Sequence, residues 1–228
     1  TITSAATGSV NENSSTSTVV YTAAATDAES DALTYALTGT DAASFSIDAT
    51  TGQVKLLTPA DFETKSSYSI TVNAKDASNT TTQAVTLNVT DANEAPTNVS
   101  LSASSVAENT STASALTIGA LTSTDPDTGN TFTYSIVGGA DQASFQVSGA
   151  NLQFVAGTTL DYETKSSYAV TVRSTDQSGL TYDKALTVNL TNVNEAPTAA
   201  NFTSAGLDNT TAITGASVGT LAAVDPDA

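Results

Sequence analysis

The chain contains no cysteine, methionine, tryptophan or histidine. Without cysteine there is no disulfide and no thiolate ligand or nucleophile, and without histidine there is neither an imidazole ligand nor the commonest general base. A metal held by these side chains must be held by oxygen. Basic residues are scarce as well: 6 Lys and Arg stand against 23 Asp and Glu, a formal net charge of −17 on 228 residues. Such a surface repels nucleic acid and anionic headgroups, so neither a nucleic-acid partner nor direct membrane insertion is expected, and cations are the natural counterpart. No run of about 20 apolar residues is available to span a bilayer. No basic-then-apolar amino terminus is present either, so any export signal is expected outside this stretch.

What the chain does have is a long repeat. Asp61-Phe62-Glu63-Thr64-Lys65-Ser66-Ser67-Tyr68 returns 100 residues later as Asp161-Tyr162-Glu163-Thr164-Lys165-Ser166-Ser167-Tyr168, with seven of eight residues identical. Asn93-Glu94-Ala95-Pro96-Thr97 returns as Asn194-Glu195-Ala196-Pro197-Thr198, and Ser9-Val10 with Glu12-Asn13 returns as Ser105-Val106 with Glu108-Asn109. A period of that length is a whole domain, far above the 20 to 50 residues of a solenoid turn. The spacing predicts one repeat over 1–96, a second over 97–197, and the start of a third, incomplete one over 198–228. Asp225-Pro226-Asp227 in the third echoes Asp125-Pro126-Asp127. The third segment is read as part of a longer array, or as an element completed by strand donation from another chain.

Within each copy the apolar residues alternate: Leu33, Tyr35, Leu37; Tyr68, Ile70, Val72; and Val85, Leu87, Val89 in the first, with Phe132, Tyr134, Ile136; Tyr168, Val170, Val172; and Leu186, Val188, Leu190 in the second. Thr and Ser occupy the other face, where branched side chains suit a pleated surface. Period two with no sustained helical period predicts an all-β chain of tandem Greek-key β-sandwiches, about seven short strands each.

An antiparallel sandwich fixes which end each loop occupies. Asp61 and Glu63 fall between the fifth and sixth strands at one end, and Asp91, Asn93 and Glu94 follow the last strand at that same end. Asp125 and Asp127, between the second and third strands of the next copy, and Asp176, after its sixth, belong to the opposite end. Glu12, at an expected break in the first strand, completes a set of eight carboxylates drawn toward one junction. Two carboxylates 4 Å apart repel by roughly 4 kcal/mol at an effective dielectric of about 20, so the set requires cations. Ca²⁺, which takes six to eight oxygens in tolerant geometry, suits it better than the smaller, strictly octahedral Mg²⁺.

These residues resemble a cadherin repeat. The family's X-E-X is matched at Glu12 and Glu108, its D-X-D at Asp125 to Asp127, and its L-D-X-E at Leu160 to Glu163, with Ala60 for the Leu in the first copy. Phe45, Ile47, Asp48, Thr51, Gly52 and Val54 echo the Phe–Ile-Asp–Thr-Gly–Val stretch. Ala74-Lys75-Asp76 matches A-X-D, and Asp91-Ala92-Asn93-Glu94-Ala95-Pro96 is a shortened D-X-N-D-N-X-P with Glu for the second Asp. The resemblance implies Ca²⁺ as the cofactor and a rod of repeats. Its ligands would be the first-junction set and, at a second junction, Glu108, Asp161, Glu163, Asn192, Asn194, Glu195, Asp225 and Asp227. Asn192 stands where the first copy has Asp91, which predicts weaker calcium binding there. Asp27, Glu29 and Asp76 would form half of a further site.

The function this implies is a calcium-stiffened stalk or adhesion segment of a large extracellular, cell-surface protein. Its partners are neighbouring repeats of the same protein, with self-association into fibres or biofilm, or a surface glycan, as further expectations. The Thr-, Ala- and Asp-rich style points by analogy to a secreted bacterial protein. The alternative is a carbohydrate-binding module, disfavoured because the 7 Tyr and 6 Phe are largely committed to the strand alternation. No enzyme is expected: Asp127-Thr128-Gly129 spells an aspartic-protease triplet without its required second copy, and Asp61 with Glu63 are too close in one loop to flank a sugar. An EF-hand starting at Asp125 would need a bidentate Glu where Ile136 stands.

Overall fold

A computed structural model describes residues 1–206 and 218–227; positions 207–217 and 228 of the third segment lie outside the described residues. The chain divides into two compact units, Thr1–Glu94 and Ala95–Ala228. Strands in the first unit are β1 (Thr7–Asn11), β2 (Val19–Thr22), β3 (Thr34–Thr38), β4 (Phe45–Ile47), β5 (Gln53–Leu56), β6 (Ser67–Lys75) and β7 (Thr80–Thr90). They form two sheets, β1-β7-β6-β3 and β2-β5-β4. The second unit carries β8 (Asn98–Leu101), β9 (Ser105–Ala107), β10 (Leu116–Thr124), β11 (Thr133–Gly138), β12 (Phe145–Ser148), β13 (Asn151–Phe154), β14 (Ser167–Thr175) and β15 (Thr181–Thr191). Its sheets run β11-β14-β15-β9 and β12-β13-β10-β8. The all-β sandwich read from the alternation is therefore the fold.

The opening strand of each unit changes sheets. In the second unit β8 pairs antiparallel with β10, and β9 then runs parallel to β15 in the opposite sheet. In the first, Ile2 bridges to Ala25 beyond β2 before β1 joins β7 in parallel. The break thus precedes β1, whereas the sequence reading put it at Glu12; Glu12 comes directly after β1, its backbone N–H still donating to the carbonyl of Thr90 at 3.1 Å. That exchange of sheets closes the sandwich edge and delivers Glu12 beside the chain leaving β7.

Alternation places one row of each strand in the core. Val54, Ile70, Val72, Val85 and Leu87 are buried in the first unit, and Leu152, Phe154, Val170, Val172 and Val188 in the second. Each such side chain contributes roughly 1.5–3 kcal/mol on burial. The Ile-Asp–Thr-Gly stretch makes the β4–β5 turn: Asp48 Oδ1 accepts from the N–H groups of Thr50 (2.9 Å) and Thr51 (2.8 Å), and Gly52 adopts φ +70°. A Cβ on Gly52 would lie 2.3 Å from the Ala23 carbonyl oxygen, so only glycine fits.

One polar staple recurs in both units. Lys65 Nζ donates to Asp41 Oδ1 at 2.7 Å while the N–H of Ser69 donates to Asp41 Oδ2 at 2.7 Å; Lys165, Asp141 and Ala169 repeat it at 2.6 and 2.8 Å. Each lysine also lies over a tyrosine ring, Tyr68 at 5.2 Å and Tyr168 at 5.1 Å. The lysine hydrogen bond, and next the backbone N–H, hold both aspartates below their ordinary pKa. Because the folded-state value is depressed, the stabilisation is complete above the unfolded aspartate value near 3.9 and is lost as pH falls through the depressed one. Asp41→Asn with Asp141→Asn is expected to cost about 1–2 kcal/mol per unit at neutral pH. The difference from the wild type should shrink below about pH 4. Calcium-free melting curves between pH 2 and 7 check this; a difference that grows toward acid would contradict it.

The described part of the third segment is an antiparallel pair, β16 (Ala199–Ser204) with β17 (Gly219–Val224). Ala199 faces Val224 as Asn98 faces Thr124 in the second unit, so the pair repeats β8 with β10. A single layer cannot cover itself. Leu221 is accordingly 78% exposed, while Leu121, its counterpart, is 2% exposed.

Candidate metal centre

Glu12 is only 4% exposed, yet it bears a carboxylate. Its Oε2 accepts from the N–H of Phe62 at 2.8 Å and its Oε1 from the N–H of Ala92 at 2.6 Å. One carboxylate thus ties the start of the sandwich to the β5–β6 loop and to the exit from β7. Asp61, in that loop, accepts from the N–H of Thr64 at 2.8 Å and from its hydroxyl at 3.0 Å. Oxygens of Glu12, Asp61 and Glu63 gather within 4.8 Å of one another, and one of Asp91 lies within 4.8 Å of one of Glu63. In the exit segment, Asn93 Nδ2 donates to the carbonyl of Glu94 at 2.8 Å, and Asn13 Nδ2 to Glu94 Oε1 at 2.5 Å.

The second unit repeats the plan. Glu108 is 2% exposed, with the N–H of Tyr162 on Oε2 and that of Val193 on Oε1, both at 2.7 Å. Asp161 accepts from Thr164, backbone N–H at 2.8 Å and hydroxyl at 2.9 Å. Asn194 Nδ2 donates to the carbonyl of Glu195 at 2.9 Å, and Asn109 Nδ2 donates to Glu195 Oε1. Here the group within 4.8 Å is Glu108, Glu163, Glu195 and Asp227. Asp227 arrives on the turn after β17, where its N–H donates to Asp225 Oδ1 at 3.0 Å and its own Oδ2 accepts from the N–H of Glu195 at 2.7 Å. Asp161 does not join this group of four, although its bonds to Thr164 match those that Asp61 makes to Thr64. Asn192 differs from Asp91 in kind: its Nδ2 donates to Glu163 Oε1 at 2.9 Å, so it occupies a carboxylate oxygen instead of supplying one.

Asp125, Asp127 and Asp176 also belong to the second unit. The N–H of Asp127 donates to Asp125 Oδ1 at 3.0 Å, and Asp176 Oδ1 accepts from the N–H groups of Ser178 and Leu180, each at 2.8 Å. Asp125 and Asp127 line a cavity of about 270 Å³ together with Asn130 and Phe132. Asn130 carries no repeat signal, because the first copy has Asp31 at the same distance before the matching tyrosine, and sequence reasoning missed it. Asp27, Glu29 and Asp76 line a cavity of about 360 Å³ at one end of the first unit. The N–H groups of Asn79 and Ser78 hold Asp76 below the ordinary carboxylate range.

These donor sets fit a hard divalent cation on a specific observation. Glu195 Oε2 and Asp227 Oδ1 are buried and have no hydrogen-bond partner, though both sit in the group of four. A buried carboxylate oxygen without a donor is costly. Glu163 shows the strain on the group: burial raises its pKa, and the charges of Glu108, Glu195 and Asp227 raise it further. Oxygen-only donors in a crowded anionic cluster match calcium chemistry. Five rings are committed to the cores and unavailable to a sugar platform: Phe45 packs edge-on to Tyr68, and Phe145, Phe154 and Tyr168 pack together in the second core.

A family model described as the Cadherin domain matches residues 6–90 and 102–191. Protocadherin Fat 4 from mouse is 30% identical over 199 residues, covering 84% of this chain, and mouse cadherin-related family member 2 is 41% identical over 76 residues, covering 33%. The chain spans 4% and 6% of the length of those relatives. Among solved structures, human protocadherin-24 EC1-2 superposes with a TM-score of 0.66 at 20% identity, covering 82% of this chain and 95% of that one.

Proposed function

Because this chain belongs to the cadherin domain family, a family of adhesive and structural repeats and not of enzymes, we propose that its acidic clusters are calcium sites and that bound calcium stiffens successive repeats into an extracellular stalk. Residues 1–96 and 97–197 are then two repeats, and 198–228 is the start of a third. Glu12, Asp61, Glu63, Asp91, Asn93 and Glu94 hold calcium for the first repeat, and Asp125, Asp127 and Asp176 hold calcium for the second. Glu108, Asp161, Glu163, Asn192, Asn194, Glu195, Asp225 and Asp227 serve in the same way at the following linker. The partners are neighbouring repeats, with self-association of chains as the adhesive mode. Among the described residues no helix is long and apolar enough to cross a membrane.

One observation carries this reading: four carboxylates drawn together, two with a buried oxygen that no donor satisfies. Calcium supplies the missing positive charge and accepts those oxygens as ligands. Isothermal titration of the metal-free chain with calcium, with magnesium as the control, tests it. Saturable calcium binding is expected, weakened by Glu195→Gln and by Asp227→Asn. A chain that binds no calcium at millimolar concentration would refute the reading.

The second cluster is expected to be the weaker because Asn192 adds no charge. Asn192→Asp should tighten calcium binding there by several-fold, since affinity follows the number of charged ligands. Titration of the variant beside the wild type reads this directly, and an unchanged or weakened affinity would remove Asn192 as the cause of the difference.

A further inference from the structure

Each buried glutamate is followed by an asparagine that the calcium reading leaves without a task. Asn13 and Asn109 have left-handed backbones, φ +57° and +56°. Their surroundings match bond for bond. The N–H of Asn13 donates to the carbonyl of Ala60 at 2.9 Å, and that of Asn109 to the carbonyl of Leu160 at 3.0 Å. Ser14 Oγ donates to the carbonyl of Asn11, and Thr110 Oγ1 to the carbonyl of Ala107, both at 2.6 Å. The side-chain Nδ2 of each asparagine then donates to Oε1 of the glutamate in the exit segment, Glu94 or Glu195.

We propose that Asn13 and Asn109 are positioning residues: each holds one oxygen of the exit-segment glutamate so that the carboxylate is fixed for a cation before the cation arrives. The inference rests on the calcium reading above. Three features argue for it. A left-handed residue alone calls for glycine, and asparagine is the side chain that tolerates this backbone while still carrying a donor. The donor is neutral. Lysine at this place would compete with the ion, and aspartate would add a like charge to a cluster already crowded with carboxylates. Finally, in the second unit the division of labour is visible, because Glu195 Oε1 takes the Asn109 amide while Oε2 remains buried without a donor.

Glu12-Asn13 therefore acts as one device. The glutamate fastens to the backbone of both ligand-bearing segments, and the asparagine fastens to the backbone of one and the side chain of the other. Partners that orient a metal ligand are typically worth about ten- to a hundredfold in metal affinity.

Glycine and aspartate substitutions separate this role from a merely structural one. Asn13→Gly with Asn109→Gly keeps the backbone and removes the donor; Asn13→Asp with Asn109→Asp keeps the shape and turns the donor into an acceptor. Both pairs should weaken calcium binding by about ten- to a hundredfold, while the metal-free melting temperature of the glycine pair stays within a few degrees of the wild type. On a background of Glu94→Ala with Glu195→Ala, the glycine pair should bring no further loss. In the calcium-free wild type, the Asn13 and Asn109 side-chain amide NMR signals should shift on Glu94→Ala and Glu195→Ala respectively. Wild-type affinity in the glycine pair, an equal loss on both backgrounds, or unmoved amide signals would overturn the inference while calcium binding by the wild type stands. A wild type that ignores calcium would instead remove the reading beneath it, and the inference with it.

Discussion

Addition of calcium to about 1 mM should raise the melting temperature of the metal-free chain by about 10–20 °C. The size follows from linkage: an ion at a hundred times its dissociation constant stabilises the folded state by about 2.7 kcal/mol. Each kcal/mol moves the midpoint of a domain of 60–100 residues by about 4–8 °C. A site with a dissociation constant near 10 µM, within the range of oxygen-ligand calcium sites, meets that condition. The effect should be large because the metal-free fold carries a cost that the ion removes. Glu108, Glu163, Glu195 and Asp227 share a space under 5 Å across, and two of their oxygens are buried without donors. Magnesium at the same concentration should do much less, because it gives up its water shell reluctantly. Calorimetry should resolve the two compact units as separate transitions, each raised by calcium. Transitions that calcium leaves in place would show that the clusters tolerate their own charge and need no ion.

The parts of this structure that were legible in the sequence are those governed by short, repeated rules. Alternation at Ile70 and Val72 or Val170 and Val172 put these side chains in the core, because a strand's period of two admits no other outcome once one face is buried. Placing Asp61 and Glu63 in a loop at the same end as Asp91 and Glu94 required only antiparallel connectivity. What escaped notice depended on hydrogen bonds between distant segments. The Glu12-Asn13 pair was visible as a repeated dipeptide, but nothing in a one-dimensional string says that an asparagine will take a left-handed turn and reach a glutamate 81 residues away. Asp41 and Asp141 recur with the same spacing from Lys65 and Lys165, and their role emerged only when β6 and β14 put Ser69 and Ala169 beside them. Glu12 was placed at a strand break, which the structure shifts to the preceding residues, because β1 keeps its parallel pairing with β7 up to Asn11.

Glu108→Ala should be the most damaging single change to the second unit, and its effect should divide into two measurable parts. The carboxylate is 2% exposed and accepts the N–H groups of Tyr162 and Val193, both at 2.7 Å. Alanine leaves two backbone donors without an acceptor, and each costs about 1–3 kcal/mol if no other partner reaches it. The metal-free unit should therefore lose about 2–5 kcal/mol in spite of the relief of repulsion from Glu163, Glu195 and Asp227. It should also lose its response to calcium, since the residue that joins the start of the sandwich to both ligand-bearing segments is gone. Glu108→Gln distinguishes the two parts: its amide oxygen keeps one backbone N–H while its NH2 cannot accept the other, so the metal-free loss should be about half that of alanine, while the lost charge still suppresses the calcium response. Melting both variants with and without calcium reads all four quantities. If Glu108→Ala were as stable as the wild type without calcium, the two backbone hydrogen bonds would carry no net weight. If it still gained the full calcium increment, Glu108 would not be a ligand. Either result would dissolve the link drawn here between a buried glutamate that organises the fold and a cation that completes it.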